Sequence, residues 1–309
     1  MEFFTTQQLY ATGLGPHQIR REVTSGTLTR VRHGLYRRGE APDVPREEHQ
    51  LLATTWDGVL GFESAAVLHG LPLLKDPPAL AQFLRPGTGR SNSRSGRVLR
   101  SAPLPDHHIT DVEGRAVTTI PRTVVDVTRR GGVEAGLVPW EAARRRAMLA
   151  EELDEFDREA SEVVELLVRR HGIGAARIAR DVASSLSESP METRSRWAMR
   201  QLGLPEPVQQ FEVYSRDGEF LGRADFAWPE LGVLGEYDGQ DKYDRLARRG
   251  ESPAQVVRRE KRRQESMEQE GWIVVRWGIE EVIIPRKLHR ILLAAFARAR
   301  SQRHLLAAS

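Results

Sequence analysis

The sequence has no cysteine among its 309 residues, and only four lysines, Lys75, Lys242, Lys261 and Lys287, against 42 arginines. The lack of cysteine excludes a disulfide scaffold, a thiolate metal site, an iron–sulfur cluster and a cysteine nucleophile. An excess of either charge is also missing. The 46 basic and 43 acidic side chains leave a net charge of +3, too small to argue for nucleic acid unless the charges are unevenly placed. No uncharged apolar run approaches the roughly 18 residues needed to cross a bilayer. Met1 to Tyr10 lacks the basic and apolar regions of a signal peptide, so the expected compartment is the cytoplasm. What is present, 39% apolar and 29% charged residues, is the composition of a soluble globular protein long enough for two or more domains.

The pattern along the chain predicts a multidomain α+β and α/β protein. Residues 1–42 read as a winged helix–turn–helix. Thr5 and Thr6 cap a first helix over Gln7 to Thr12, Pro16 opens a second, and two short strands flank His33-Gly34. Residues 1–39 carry six arginines against two glutamates. Residues 43–140 read as a small α/β region, with helices over Glu47–Thr55 and Gly61–Gly70 and a strand over Val117–Ile120. There Arg85 to Arg100 is expected to be a mobile basic loop. Residues 141–186 read as a helical connector, with Val163, Leu166, Leu167, Ile178 and Val182 on its apolar side. Eleven acids stand against five bases over residues 151–192. Residues 187–309 then run helix, strands, helix, strand, helix, which predicts an α/β domain with a mixed central sheet.

Chemistry concentrates in that last region. Strand alternation predicts Arg223 and Asp225 on one face, with Ala224, Phe226 and Trp228 on the other. In the next strand Leu234, Glu236 and Asp238 share a face. Neighbouring strands would thus bring Asp225, Glu236 and Asp238 together. Clustered carboxylates repel unless a cation neutralises them, and oxygen-only ligands suit Mg²⁺ or Mn²⁺. Two of the four lysines, Lys242 and Lys261, lie near these acids in sequence. Lysine, unlike arginine, can lose its proton when partly buried.

The runs Gly222-Arg223-Ala224-Asp225-Phe226 and Gly235-Glu236-Tyr237-Asp238-Gly239, then Lys242-Tyr243, resemble a PD-(D/E)XK nuclease of the very-short-patch-repair-like subgroup. Glu260-Lys261-Arg262-Arg263 and Gly271-Trp272 through Arg276-Trp277 extend the resemblance, which covers roughly residues 186–285. It implies a restriction-endonuclease-like domain that hydrolyses DNA phosphodiesters with metal-activated water. Asp225 and Glu236 would be metal ligands, joined by the Tyr237 carbonyl and Asp238. Glu192 on the domain's first helix would complete the site. The family's lysine, two residues after the motif glutamate, is replaced here by Asp238, so Lys242 or Lys261 would have to supply the ammonium. Ser189, Pro190 and Glu192 also form a helix-capping box, and Asp238-Gly239 also reads as a turn, so both roles stay open for these residues.

The amino-terminal half carries a second resemblance. Thr5-Thr6-Gln7, Arg30 through Tyr36, Ser64 through Pro72 and Thr119 through Asp126 resemble the AbiEi-type antitoxins of type IV toxin–antitoxin systems. That implies binding of double-stranded DNA by the first domain, often for transcriptional control. Arg20, Arg21, Arg30, Arg32, Arg37 and Arg38 would meet bases or phosphates there. Arg258, Arg259 and Arg262 would track phosphate beside the nuclease-like site, or would form a solvated helix face. Ser64 and His69 lack an acid at triad spacing, and Gly87 to Ser91 lacks the lysine of a phosphate loop. Two functions therefore compete. One is a metal-dependent endonuclease guided by an amino-terminal DNA-binding module. The other is an antitoxin-like regulator whose nuclease-like domain grips DNA without cutting it.

Overall fold

The computed structural model describes residues 3–32, 34–38, 58–77, 80–87, 92–94, 97–239 and 253–307. The expected helix over Glu47–Thr55, the position of His33, and Lys242 with Tyr243 lie outside these residues. The chain divides into two compact units, Met1–Ala183 and Ser184–Ser309, each a mixture of helix and sheet.

The first unit begins with β1 (Phe3–Thr5), α1 (Thr6–Ala11), α2 (Pro16–Thr24), β2 (Leu28–Arg32) and β3 (Leu35–Arg38). Thr5 caps α1 through a full capping box with Gln8, which satisfies amides that the helix itself cannot. Leu9, Ile19 and Leu28 form the small core, with Phe4, Leu14, Val23 and Tyr36 packed against it. The sheet order is β1-β3-β2, all antiparallel, so the strand Phe3–Thr5 adds an edge that the hairpin alone does not have.

A six-stranded mixed sheet follows, of order β6-β7-β5-β4-β9-β8. Its strands are β4 (Val59–Leu60), β5 (Ala81–Pro86), β6 (Asn92–Arg94), β7 (Arg97–Ala102), β8 (Ile109–Val112) and β9 (Arg115–Thr118). The basic stretch expected as a loop is instead largely strand. Residues 97–102 pair in parallel with 81–86, because Leu99 and Ala102 are apolar side chains worth burying even among arginines. Leu60, Ala65, Leu68, Phe83, Leu99 and Val117 make the core against α3 (Phe62–Leu68).

Four helices complete the unit: α4 (Ile120–Gly131), α5 (Val133–Leu149), α6 (Leu153–Leu166) and α7 (Ile173–Val182). Helix α4 is central, and α3, α5, α6 and α7 all pack on it. The stretch read as a connector is therefore part of the unit's core, up to Ala183. Trp140, Phe156, Val163, Val164, Leu167, Ala176 and Ala179 are buried, and the acids of the segment lie around them. Leu166 and Ile178, expected inside, are exposed instead.

The second unit is a four-stranded mixed sheet, β10-β11-β12-β13, with helices on both faces. The strands are β10 (Val208–Tyr214), β11 (Phe220–Trp228), β12 (Val233–Tyr237) and β13 (Ile273–Trp277), and only the β12·β13 pair is parallel. On one face Phe226, Trp228, Ile273 and Trp277 pack with α8 (Pro190–Gln201) and α11 (Pro285–Ala307), through Met199, Leu288, Leu292 and Phe296. On the other, Val213, Ala224, Ala227 and Leu234 pack with Met267 of α9 (Pro253–Gln269). Gly235 has to be small, because a Cβ there would come within 2.7 Å of the Trp277 ring. The short α10 (Ile279–Ile283) leads into α11.

Candidate functional site

The carboxylates of the second unit are gathered by an irregular strand pair. Ala224 packs with Met267 while Phe226 packs with Trp277, so the two neighbours of Asp225 lie on opposite faces of the sheet. The expectation that Ala224 and Phe226 share a face fails for a local reason. Gln210 sits across from Asp225, between the pairs Gln209↔Phe226 and Phe211↔Ala224, with φ of 52°, a region costly for a non-glycine residue. The β11·β12 ladder ends at Phe226↔Gly235, and beyond it the Tyr237 N–H donates to the Asp225 side chain, 2.8 Å from Oδ2.

Glu236 is next in register and buried at 3% exposure. Arg276 is its neighbour in the parallel ladder, and the guanidinium lies 3.0 Å from Oε2. Arg263 reaches from α9 to Oε1 at 2.7 Å and also holds Glu260 at 2.9 Å. Burial by itself would lower the Arg263 pKa, but the Glu236 and Glu260 carboxylates outweigh it and hold the guanidinium above its ordinary value.

Glu192 lies in the first turn of α8, capped by Ser189 as the sequence implies. It accepts from the Glu188 N–H, the Ser189 hydroxyl and the Gln210 side-chain amide at 2.9–3.0 Å. Burial, and then the nearby negative charge of Asp225, push its carboxyl up to about 7, against the pull of those hydrogen bonds. Glu192 and Asp225 are thus neighbours, and Asp225 accepts the N–H of the residue that follows Glu236. Asp238 continues the parallel ladder, its N–H donating to the Trp277 carbonyl at 2.8 Å.

Lys261 does not join them. It points outward, 76% exposed, and pairs with Glu265 one turn on, while Arg258 and Arg262 are exposed and Arg259 half-buried. Helical spacing explains this, since Glu260, Arg263 and Met267 (i, i+3, i+7) share the inward face and Lys261 falls off it. Arg263 is the cation that the sequence reasoning missed, and this periodicity was the signal for it. As a donor set the oxygens of Glu192, Asp225 and Glu236 suit a hard divalent ion, but both Glu236 oxygens already face guanidinium groups. Among the described residues, the His/Asp/Glu group whose ligand atoms all lie within 4.8 Å is a different one, His107, His108 and Glu162 in the first unit.

In residues 3–38 the arginines do not form one surface. Arg20 and Arg21 are exposed on α2, next to the buried Ile19. Register sets Arg30 opposite Tyr36 and Arg37 opposite Thr29, which places Arg30 and Arg37 on opposite faces of the hairpin. The Arg38 guanidinium stands over the Phe4 ring at 5.7 Å, and Arg32 lies at the end of β2.

A third arrangement was not expected. Arg122 and Asp126, both 0% exposed, form an ion pair of 2.7 Å inside α4, and Arg129 takes the other Asp126 oxygen at 2.7 Å. Arg122 also donates to the Pro103 carbonyl at 2.7 Å. The Arg122–Asp126 spacing of four residues was the available clue.

Residues 1–39 match the family described as transcriptional regulator, AbiEi antitoxin. Two uncharacterized proteins of Mycobacterium tuberculosis, MT2308 of strain CDC 1551 / Oshkosh and Rv2248 of strain ATCC 25618 / H37Rv, are each 27% identical over 265 residues, covering 86% of this chain and 90% of theirs. The crystal structure of the RV2827C protein from Mycobacterium tuberculosis is similar over 70% of this chain and 84% of that one, at 18% identity and a TM-score of 0.37, too low to carry over fold or function. No helix among the described residues is long and apolar enough to cross a membrane. Residues 1–39 therefore resemble an AbiEi-type regulator, and they coincide with the two-helix, three-stranded module described above.

Proposed function

We propose that the protein is a DNA-binding regulator whose amino-terminal module contacts double-stranded DNA. The observation that carries this reading is the coincidence of the antitoxin-family match over residues 1–39 with a small folded module bearing exposed arginines on α2. Arg20 and Arg21 would enter the groove or meet flanking phosphates, and Arg30, Arg32, Arg37 and Arg38 would meet the backbone beside the hairpin. The test is an electrophoretic mobility or anisotropy titration of the full chain on duplex DNA at several salt concentrations. Double substitution Arg20→Ala with Arg21→Ala should weaken binding and lower the salt slope. An unchanged slope would remove α2 from the interface.

A second reading is favoured by one specific observation, the raised Glu192 carboxyl beside Asp225. Crowded carboxylates of this kind are what a divalent-metal nuclease site requires. In that reading Asp225 and Glu236 would hold Mg²⁺ or Mn²⁺, with the Tyr237 carbonyl and Asp238, and the ion would supply an activated water and a polarised phosphate. Lys242 and Glu192 would assist, and Arg258, Arg259 and Arg262 would track the strand. The pairing of Glu236 with Arg263 and Arg276 supports the regulator instead, since the charge that a metal would balance is already balanced. Incubating the protein with plasmid DNA in Mg²⁺, Mn²⁺ or EDTA separates the two. Nicking that needs metal and is lost in Asp225→Asn establishes the nuclease, and intact plasmid throughout leaves the regulator.

A further inference from the structure

We propose that the first unit carries a binding pocket for a phosphoryl group, formed by Arg100, Arg129, Arg130 and Arg170 where α4 meets the six-stranded sheet and the turn before α7. The cavity is about 210 Å³, and Phe62, Leu84, Ala102, Ser101, Asp126 and His171 complete its wall.

Charge is the first argument. Four arginines and one aspartate line the cavity, and both oxygens of that aspartate are already taken by Arg122 and Arg129. Arg130 donates to the Gln82 side-chain oxygen at 3.0 Å and lies 3.4 Å from Glu63. Arg100 stands over the Phe62 ring at 5.2 Å, and among the described residues neither it nor Arg170 has a carboxylate partner. Among the described residues the Nε atoms of Arg100 and Arg129 are buried with no hydrogen-bond acceptor. Burial above all lowers the Arg129 pKa, against the pull of Asp126, with smaller repulsions from Arg122 and Arg170. Planar guanidinium forks match phosphate oxygens in pairs, and a doubly charged phosphate ester answers four arginines better than a single carboxylate does.

The backbone is committed to this arrangement. Gly172 has φ of 79°, and a Cβ there would lie 1.9 Å from the Arg129 carbonyl oxygen. Only glycine lets the chain pass this close, and the passage brings Arg170 and His171 to the end of α4, where Arg129 donates to the His171 carbonyl at 3.1 Å. On the opposite wall Phe62 is held at φ of 56°, an outlier for a bulky side chain. Strain of this sort persists where the surroundings fix it, and ligand clamps are among such places. Phe62, Leu84 and Ala102 leave room for a short organic body attached to the phosphate.

The phosphoryl group could arrive on a small ester or on a DNA backbone, and the experiment separates the two. Isothermal titration of the full chain with inorganic phosphate, glycerol 3-phosphate and AMP, at matched ionic strength, reads the first source. Saturable binding to one site is expected, weakened about tenfold or more by Arg170→Ala and by Arg100→Ala. Duplex DNA titrations of the same variants read the second. Weaker DNA binding with no response to the small esters assigns the pocket to the backbone. Circular dichroism melting checks folding, and Arg170→Gln, which keeps part of the aliphatic stem and removes the charge, stands in if Arg170→Ala melts early. If none of the probes binds saturably and DNA affinity is unchanged in both variants, or if binding survives both, the proposal is overturned.

Discussion

Each unit buries one carboxylate between two arginines, and the two groups are built differently. Asp126 takes its partners from its own helix, three and four residues away, and Arg122 and Asp126 are wholly enclosed. Glu236 takes Arg263 from a helix 27 residues on and Arg276 from the adjoining strand. A local pair needs only helix formation to meet, so it works as a brace that holds the basic pocket's floor. A group assembled from three elements needs the whole unit folded before it can form. Beside Asp126 the pocket adds Arg100, Arg130 and Arg170, whereas both oxygens of Glu236 already face guanidinium groups.

Substitutions that separate brace from charge reservoir test this contrast. The largest effect is expected for Arg122→Ala, which leaves a fully buried Asp126 short of one partner. It should cost about 3–5 kcal/mol in the urea transition of the first unit. A loss under about 1 kcal/mol would mean that Arg129 alone suffices. Next is pH. Glu192 has an ordinary value of 4.5 and is pushed up to about 7 in the fold. Between these values the folded state holds the extra proton, so stability is full below about pH 4.5 and falls as pH rises through 7, by at most about 3 kcal/mol. In Glu192→Gln, with EDTA present, that decline should flatten. An unaltered pH profile would show that Glu192 is not the titrating group.

Arg263→Ala is expected to cost less than Arg122→Ala, about 1–3 kcal/mol, because Arg276 stays on Glu236. Equal losses at Arg122 and Arg263 would erase the distinction between the groups. The smallest effect belongs to the DNA-facing arginines. Arg20→Ala should leave the melting temperature unchanged and reduce the slope of log affinity against log salt by about 0.9 if it meets one phosphate.

Much of the second unit was readable from local chemistry. Ser189 with Glu192 announces a helix start, Asp217-Gly218 a hairpin, and the apolar runs before Trp228 and Trp277 read as buried strands. Thr5 and Pro16 do the same for the first two helices. What failed depended on distant partners. Residues 97–102 look like a polar loop until residues 81–86 lie beside them, and the acidic surface around Phe156 and Val163 hides helices that close over α4. Asp225 and Glu236 stood out in the sequence because charge inside an apolar strand is costly. Arg276 could be placed only by the parallel register, and Gln210 only by a backbone distortion that no residue preference signals.

Asp225 has an architectural duty as well as an electrostatic one, because its side chain stands in for the main-chain acceptor that Tyr237 would otherwise find on the neighbouring strand. Asparagine offers an equivalent oxygen and can finish the strand as aspartate does, whereas alanine leaves an amide stranded. Asn and Ala at this position are therefore two separate probes, one of charge and one of strand termination. A position bound by both demands would resist drift to most residues even in a descendant that had given up any chemistry here.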